Sequence, residues 1–93
     1  MHSHFYAGRT SFDDGHSHYY NGTTSSDADI PGHVHFMSGN TSINDGHSHG
    51  YRSATGPAIY FNEGHYHMYY GVTQVADRHT HTYTGTTSVF YAM

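Results

Sequence analysis

Residues Ile30 to His49 read IPGHVHFMSGNTSINDGHSH, and two features of the stretch decide how the chain folds. It holds two His-x-His triplets 14 residues apart, His33/His35 and His47/His49, and every second residue from His33 onward changes character: His, His, Met, Gly, Thr. In an extended strand, residues i, i+2 and i+4 share one face, so a period of two places both imidazoles and the residue after them on the same side. A glycine precedes each triplet, once after Pro and once after Asp, which is the chemistry of a tight turn that needs positive φ. The stretch reads as strand, turn and strand.

Working outward, the same pattern covers the chain. All twelve histidines fall in six triplets, His2/His4, His16/His18, His33/His35, His47/His49, His65/His67 and His79/His81, at spacings of 14, 17, 14, 18 and 14 residues. The unit is therefore a two-part repeat of about 31 residues, present three times over about 2–32, 33–64 and 65–93, within a single repeat domain spanning 1–93. The halves share His-x-His-x-Tyr/Met-x-Gly-x-Thr. The i+4 position holds Tyr6, Tyr20, Met37, Tyr51, Tyr69 and Tyr83, and the glycines are Gly8, Gly22, Gly39, Gly71 and Gly85, with Ser53 standing in the fourth copy. Helix formers are scarce, no 3.6-residue period appears, and Thr, Tyr, Phe and Gly dominate. The expected fold class is all-β, built of short antiparallel hairpins in series, with turns expected at Gly15, Gly32, Gly46 and Gly64. Pro31 and Pro57 mark loops or strand edges.

Composition says what such a chain lacks. It has 93 residues, 34% hydrophobic, with ten tyrosines, no Leu, no Trp and no Cys. Ordering a chain costs on the order of 1.5 kcal/mol per residue, and small scaffolds offset this with disulfides, metals or oligomerisation. Without cysteine, metal and assembly remain, and the histidines point to metal. Two imidazoles at i and i+2 on a strand can reach one ion, and neutral imidazole is the commonest biological ligand. Two triplets would make a four-nitrogen tetrahedral site for zinc or copper; three would make a six-nitrogen octahedral site for iron or nickel. Twelve histidines thus allow three ions per chain or two. Asp14, Asp45 and Glu63, two residues ahead of their triplets, are candidates to accept a hydrogen bond from the non-ligating ring nitrogen. The tyrosines are expected to pack around the sites, and Thr10, Thr41 and Thr86 to reach neighbouring strands.

These residues resemble the YmaF family of bacterial proteins, whose members repeat Gly-His-x-His segments followed by Gly-x-Thr-Ser; IPGHVHFMSGNTSINDGHSH is especially similar, and the likeness covers nearly the whole chain. The triplets also resemble those of phage long-tail-fibre needle tips, where three chains each contribute a pair to octahedral iron. The resemblance implies a metal-stapled β structure without a catalytic role. Here, though, the threefold repetition lies inside one chain.

Charge and hydropathy exclude several functions. With three arginines and no lysine there is no phosphate-binding footprint, so nucleic acid is not an expected partner. No run of eighteen apolar residues suggests a membrane span, and MHSHFYAGRT has no signal-peptide character. No small-molecule substrate is evident, and the equal treatment of six triplets argues against a metalloenzyme. The expectation is a structural metal-binding β-repeat subunit in a self-assembled fibre or surface structure, extracellular or on the cell or spore surface. A metal-buffering or metal-sensing protein is the alternative, with a phage tail-tip protein behind it. The apolar segment TSVFYAM, residues 87–93, is expected to add as a strand to the sheet edge of a neighbouring copy.

Overall fold

The computed structural model describes residues 1–91 and is all-β. Its strands are β1 (Phe5–Arg9), β2 (Tyr19–Thr23), β3 (Phe36–Asn40), β4 (Gly50–Ala54), β5 (Ala58–Phe61), β6 (Gly64–Val72), β7 (Thr82–Thr86) and β8 (Phe90–Tyr91). They form three antiparallel hairpins, β1–β2, β3–β4 and β6–β7, one per repeat, with β5 and β8 added to β6. The histidine triplets mostly precede the strands as extended chain; only His65 and His67 lie inside one, β6.

The period of two in the sequence becomes the inward face. In every hairpin the second histidine, the Tyr or Met and the Thr are buried: His4, Tyr6 and Thr10 in the first half-repeat, His35, Met37 and Thr41 in the third. The intervening residues face outward, which is why Phe5, Tyr19, Phe36 and Met68 are exposed. The register opposes each tyrosine to a glycine of the partner strand: Tyr6 to Gly22, Tyr20 to Gly8, Tyr51 to Gly39, Tyr69 to Gly85 and Tyr83 to Gly71. The hydroxyl end of the ring lies against that glycine. A Cβ at Gly22 would sit 2.5 Å from the Tyr6 hydroxyl, and one at Gly39 2.7 Å from that of Tyr51. Glycine recurs in the motif because the tyrosine ring takes the space of its missing side chain.

Three hairpins close into a ring through backbone hydrogen bonds made by the residue after each motif threonine. At one level Ser11 donates to Thr82, Ser42 to Tyr19 and Gln74 to Gly50; at the other Ser25 donates to Phe36, Gly56 to Met68 and Ser88 to Phe5. Each hairpin is thus tied to both others at both levels. The result is a three-sided rod with extents of 44 × 18 × 16 Å. Along its length the registers set a fixed order: the triplets His2/His4, His33/His35 and His65/His67 at one end, the tyrosines and Met37 in the middle, and the other three triplets at the far end.

The alternating spacers explain the two ends. The short spacers turn back tightly at the far end: Asp14 and Gly15 (φ 53° and 83°), Asp45 and Gly46 (54° and 81°) and Asp77 and Arg78 (50° and 68°) are paired left-handed residues, the geometry of a type I′ turn. The long spacers carry the chain from one hairpin to the next at the near end and lie over it. Gly64 corrects one expectation. It is not a turn residue with positive φ but a strand residue under close approach, where a Cβ would meet Val89 at 2.9 Å and Tyr91 at 3.0 Å. The closing segment corrects another, since Phe90–Tyr91 pairs with Gly64 and His65 of its own chain. Its strand pairing is thus made within its own chain, while Tyr91 stays exposed; the last two residues of TSVFYAM lie outside the described residues.

Candidate metal centre

The twelve histidines form two groups of six rather than three of four. The near group is His2, His4, His33, His35, His65 and His67, all buried; the far group is His16, His18, His47, His49, His79 and His81. Each hairpin contributes one triplet to each end, because antiparallel pairing carries the first triplet of a repeat to one end and the second to the other.

The motif threonine positions the second histidine of each triplet. Its hydroxyl accepts the histidine backbone N–H: Thr24 from His4, Thr10 from His18, Thr55 from His35, Thr41 from His49, Thr87 from His67 and Thr73 from His81, at 2.9–3.0 Å. The threonine N–H donates back to the same histidine's carbonyl. Thr87, not Thr86, is the residue in this role; Thr86 is exposed.

The ring nitrogens are oriented as consistently. Each second histidine donates Nδ1–H to a backbone carbonyl of a neighbouring segment: His4 to Ser88, His18 to Ser42, His35 to Ser25, His49 to Gln74, His67 to Gly56 and His81 to Ser11, at 2.8–2.9 Å. Of the first histidines, His16, His47 and His79 donate to the carbonyls of Asp14, Asp45 and Asp77, and His33 to that of Ile30. A ring whose one proton is on Nδ1 presents a bare lone pair at Nε2. In the far group this holds for all six.

The Nε2 atoms converge. In the far group His16, His47 and His79 form a triangle with edges of 3.2 Å, and His49 lies 3.3 Å from His79. Near-group contacts are 3.0 Å for His2–His65 and 3.2 Å for His33–His65 and His2–His35. Where both rings carry their proton on Nδ1 these contacts are not hydrogen bonds but facing lone pairs, an arrangement that a cation between them would relieve. The Nε2 atoms of His4, His18, His67 and His81 are buried without any hydrogen-bond partner among the described residues. Leaving such acceptors unpaired costs about 1–3 kcal/mol each.

The distances fit six-coordination. An octahedron with edges of 3.0–3.3 Å has centre-to-vertex distances of about 2.1–2.3 Å and opposite vertices about 4.2–4.7 Å apart, and all six donors of each group lie within 4.8 Å of one another. Burial also favours the neutral form of six of the rings, the form that ligation requires. Desolvation, reinforced by the neighbouring imidazoles, lowers His2 to about 4. His67 is likewise lowered to about 4 by burial, against the opposing pull of the Gly56 carbonyl. His4, His18, His49 and His65 are lowered from the same first cause.

Carboxylates surround the rings differently from the sequence expectation. The aspartate two residues ahead of a far-group triplet serves its own histidine through its backbone carbonyl, while its side chain reaches the next hairpin: Asp45 to His16 Nδ1 at 3.6 Å, Asp77 to His47 at 3.6 Å and Asp14 to His79 at 3.4 Å. Asp77 belongs to this set and is hidden in the sequence by the Arg78 that replaces the usual glycine. Glu63 is exposed; the acid beside His65 and His33 is Asp29, 4.0 Å from each, and Asp27 lies 3.1 Å from His35.

A family model described as "YmaF: Spore germination protein GerY/YamF" matches residues 1–56 and again 33–89. The chain belongs to the YmaF family. Its two matches are offset by 32 residues, one repeat, so the YmaF pattern fits this chain in two registers of the same threefold structure. No curated protein and no solved structure matches the chain.

Proposed function

We propose that this YmaF protein is a metal-stapled β rod, in which two first-row transition-metal ions, each held by six imidazoles, do what a hydrophobic core does in a larger domain. One observation carries the reading: Nε2 atoms converge at 3.0–3.3 Å at both ends of the rod, and Nδ1–H bonds to backbone carbonyls fix them as lone pairs throughout the far group and at His4, His33, His35 and His67 of the near group. The apolar core beside them is five tyrosines and one methionine. Six nitrogens favour an ion that accepts octahedral imidazole, such as iron(II) or nickel(II), over zinc in its usual four-coordinate structural form. A saturated six-nitrogen shell leaves no position for a substrate, which supports a structural rather than an enzymatic role.

Self-assembly into a fibre or surface structure is supported by the elongated shape and by the exposed Phe5, Phe36, Tyr70 and Tyr91. The centres do not call for it, since each closes within one chain. A connection to spores is supported by the family's description as a spore germination protein.

The testing experiment is metal removal. Structural metal binding is folding free energy, of order 10 kcal/mol per site in small zinc domains, so a strong chelator should abolish the β signal in circular dichroism as metal leaves. A β signal unchanged after elemental analysis confirms metal loss would overturn the structural role and leave the buffering alternative.

A further inference from the structure

The two ends differ in a way that the repeat does not require. At the near end the closing segment and a long spacer lie over the histidines. Phe90 stacks on His2 with ring centroids 4.5 Å apart, and Tyr60 lies 5.5 Å from His65. The His33 and His65 side chains are only 3% and 2% exposed. At the far end the tight turns leave the outer triangle open: the His16, His47 and His79 side chains are 10%, 11% and 12% exposed. Around it stand the exposed carboxylates of Asp14, Asp45 and Asp77, each 3.4–3.6 Å from one of these rings. Asp13 adds a fourth negative charge, and Arg78 is the one cation in the three turns. Below the triangle the Nε2 atoms of His18 and His81, on rings 0% and 1% exposed, lack any partner among the described residues.

Resting on the metal reading above, we infer that the far centre is an exchange port for divalent first-row transition-metal ions, while the near centre is a permanent staple. The three carboxylates draw a hydrated cation to the end of the rod. The outer imidazoles then replace three of its waters as a facial set, and His18, His49 and His81 replace the other three. Six waters leave, the oxidation state is unchanged, and no proton moves, because each Nε2 already lacks one. Release is the reverse. The rod can therefore take up and yield one ion while the other keeps the hairpins together, which joins the structural and buffering roles in one molecule.

The test uses the full chain loaded with nickel(II), followed by a chelator challenge, with retained metal measured and histidine resonances, hyperfine-shifted by octahedral nickel, monitored by NMR. The expected result is two phases of one ion each, the first clearing the shifted signals of His16, His18, His47, His49, His79 and His81 while the other six persist. In the combined variant Asp14→Asn, Asp45→Asn and Asp77→Asn, loading of the far centre at low salt should slow about ten-fold or more, and the near centre should be unaffected. Two ions leaving in a single phase, or the near-end signals clearing first, would overturn the port and leave the metal reading standing. A folded chain that binds no nickel would overturn both.

Discussion

Met37 faces Ser53 across the β3–β4 hairpin, and theirs is the one pairing at this level of the rod that is not a tyrosine over a glycine. The exception explains itself through hydroxyls. Tyr6 and Tyr51 share a hydrogen bond of 2.9 Å, as do Tyr20 and Tyr69, so the threefold pattern would pair Tyr83 with a tyrosine at position 37. Methionine cannot supply that oxygen. Ser53 does, accepting from the Tyr83 hydroxyl at 2.9 Å, and a side chain is tolerated there because Met37 needs no glycine beneath it. Ser53→Gly alone strands the Tyr83 hydroxyl and should cost about 1–3 kcal/mol. Met37→Tyr alone meets the serine side chain and should cost a similar amount, about 1–3 kcal/mol. The double variant restores the pattern of the other hairpins and should recover most of both losses in denaturant unfolding. Additive losses would refute the pairing rule.

The motif threonine is predicted to act through its hydroxyl rather than its shape. Thr41→Val keeps the volume but leaves the His49 N–H without an acceptor, at a cost of about 1–3 kcal/mol. Thr41→Ser should retain much of the stability. Thr86→Val, one residue from the equivalent Thr87, should be close to neutral. Equal effects at Thr41 and Thr86, read as shifts in the unfolding midpoint, would contradict the assignment.

Arg78 occupies a left-handed position that Gly15 and Gly46 fill in the other two turns. A non-glycine residue there costs roughly 1–2 kcal/mol, offset in part by the greater chain entropy glycine loses on folding. Arg78→Gly should therefore stabilise the protein by up to about 1 kcal/mol. The thermal midpoint checks it, and a lower midpoint would show that the guanidinium has a structural partner.

Acid sensitivity should follow from the burial of the rings as well as from metal ligation. Burial keeps His2 and His67 neutral down to about 4 in the folded chain, and their unfolded counterparts take up a proton near 6.5. Between those values the unfolded state binds more protons, so stability is complete above about 6.5 and falls as pH drops toward 4. Lowered His4, His18, His49 and His65 act in the same direction. Denaturant midpoints of the metal-loaded chain at several pH values should decline across this window, and excess free metal should shift the decline downward by mass action. A flat profile from 7 to 4 would contradict the burial of neutral rings.

Much of this architecture was legible because period two and the repeat are one-dimensional signals. The shared face of His2, His4 and Tyr6, the hairpins, and the type I′ turns at Asp14–Gly15 and Asp45–Gly46 all follow from local spacing. What stayed hidden depends on which segments meet. Twelve histidines divide as readily by four as by six, and only the ring closure of three hairpins, through bonds such as Ser11 to Thr82, brings three triplets to one end. The reach of Asp45 to His16 in the neighbouring hairpin is equally invisible in sequence, as is the carbonyl of Ser42 that orients His18. Asp77 escaped for a simpler reason: Arg78 replaced the glycine that marked its two counterparts. Phe90–Tyr91 looked uncovered because Gly64, which with His65 forms its pairing edge, was read as a turn residue.

The central claim is two octahedral all-imidazole centres per chain, and X-ray absorption at the edge of the bound metal, with elemental analysis of the same sample, tests it most directly. The structure predicts two ions per chain, each with six nitrogen neighbours at about 2.1–2.3 Å and the outer-shell scattering of imidazole rings. Three ions per chain in four-coordinate shells, or a shell dominated by water or carboxylate oxygen, would contradict it.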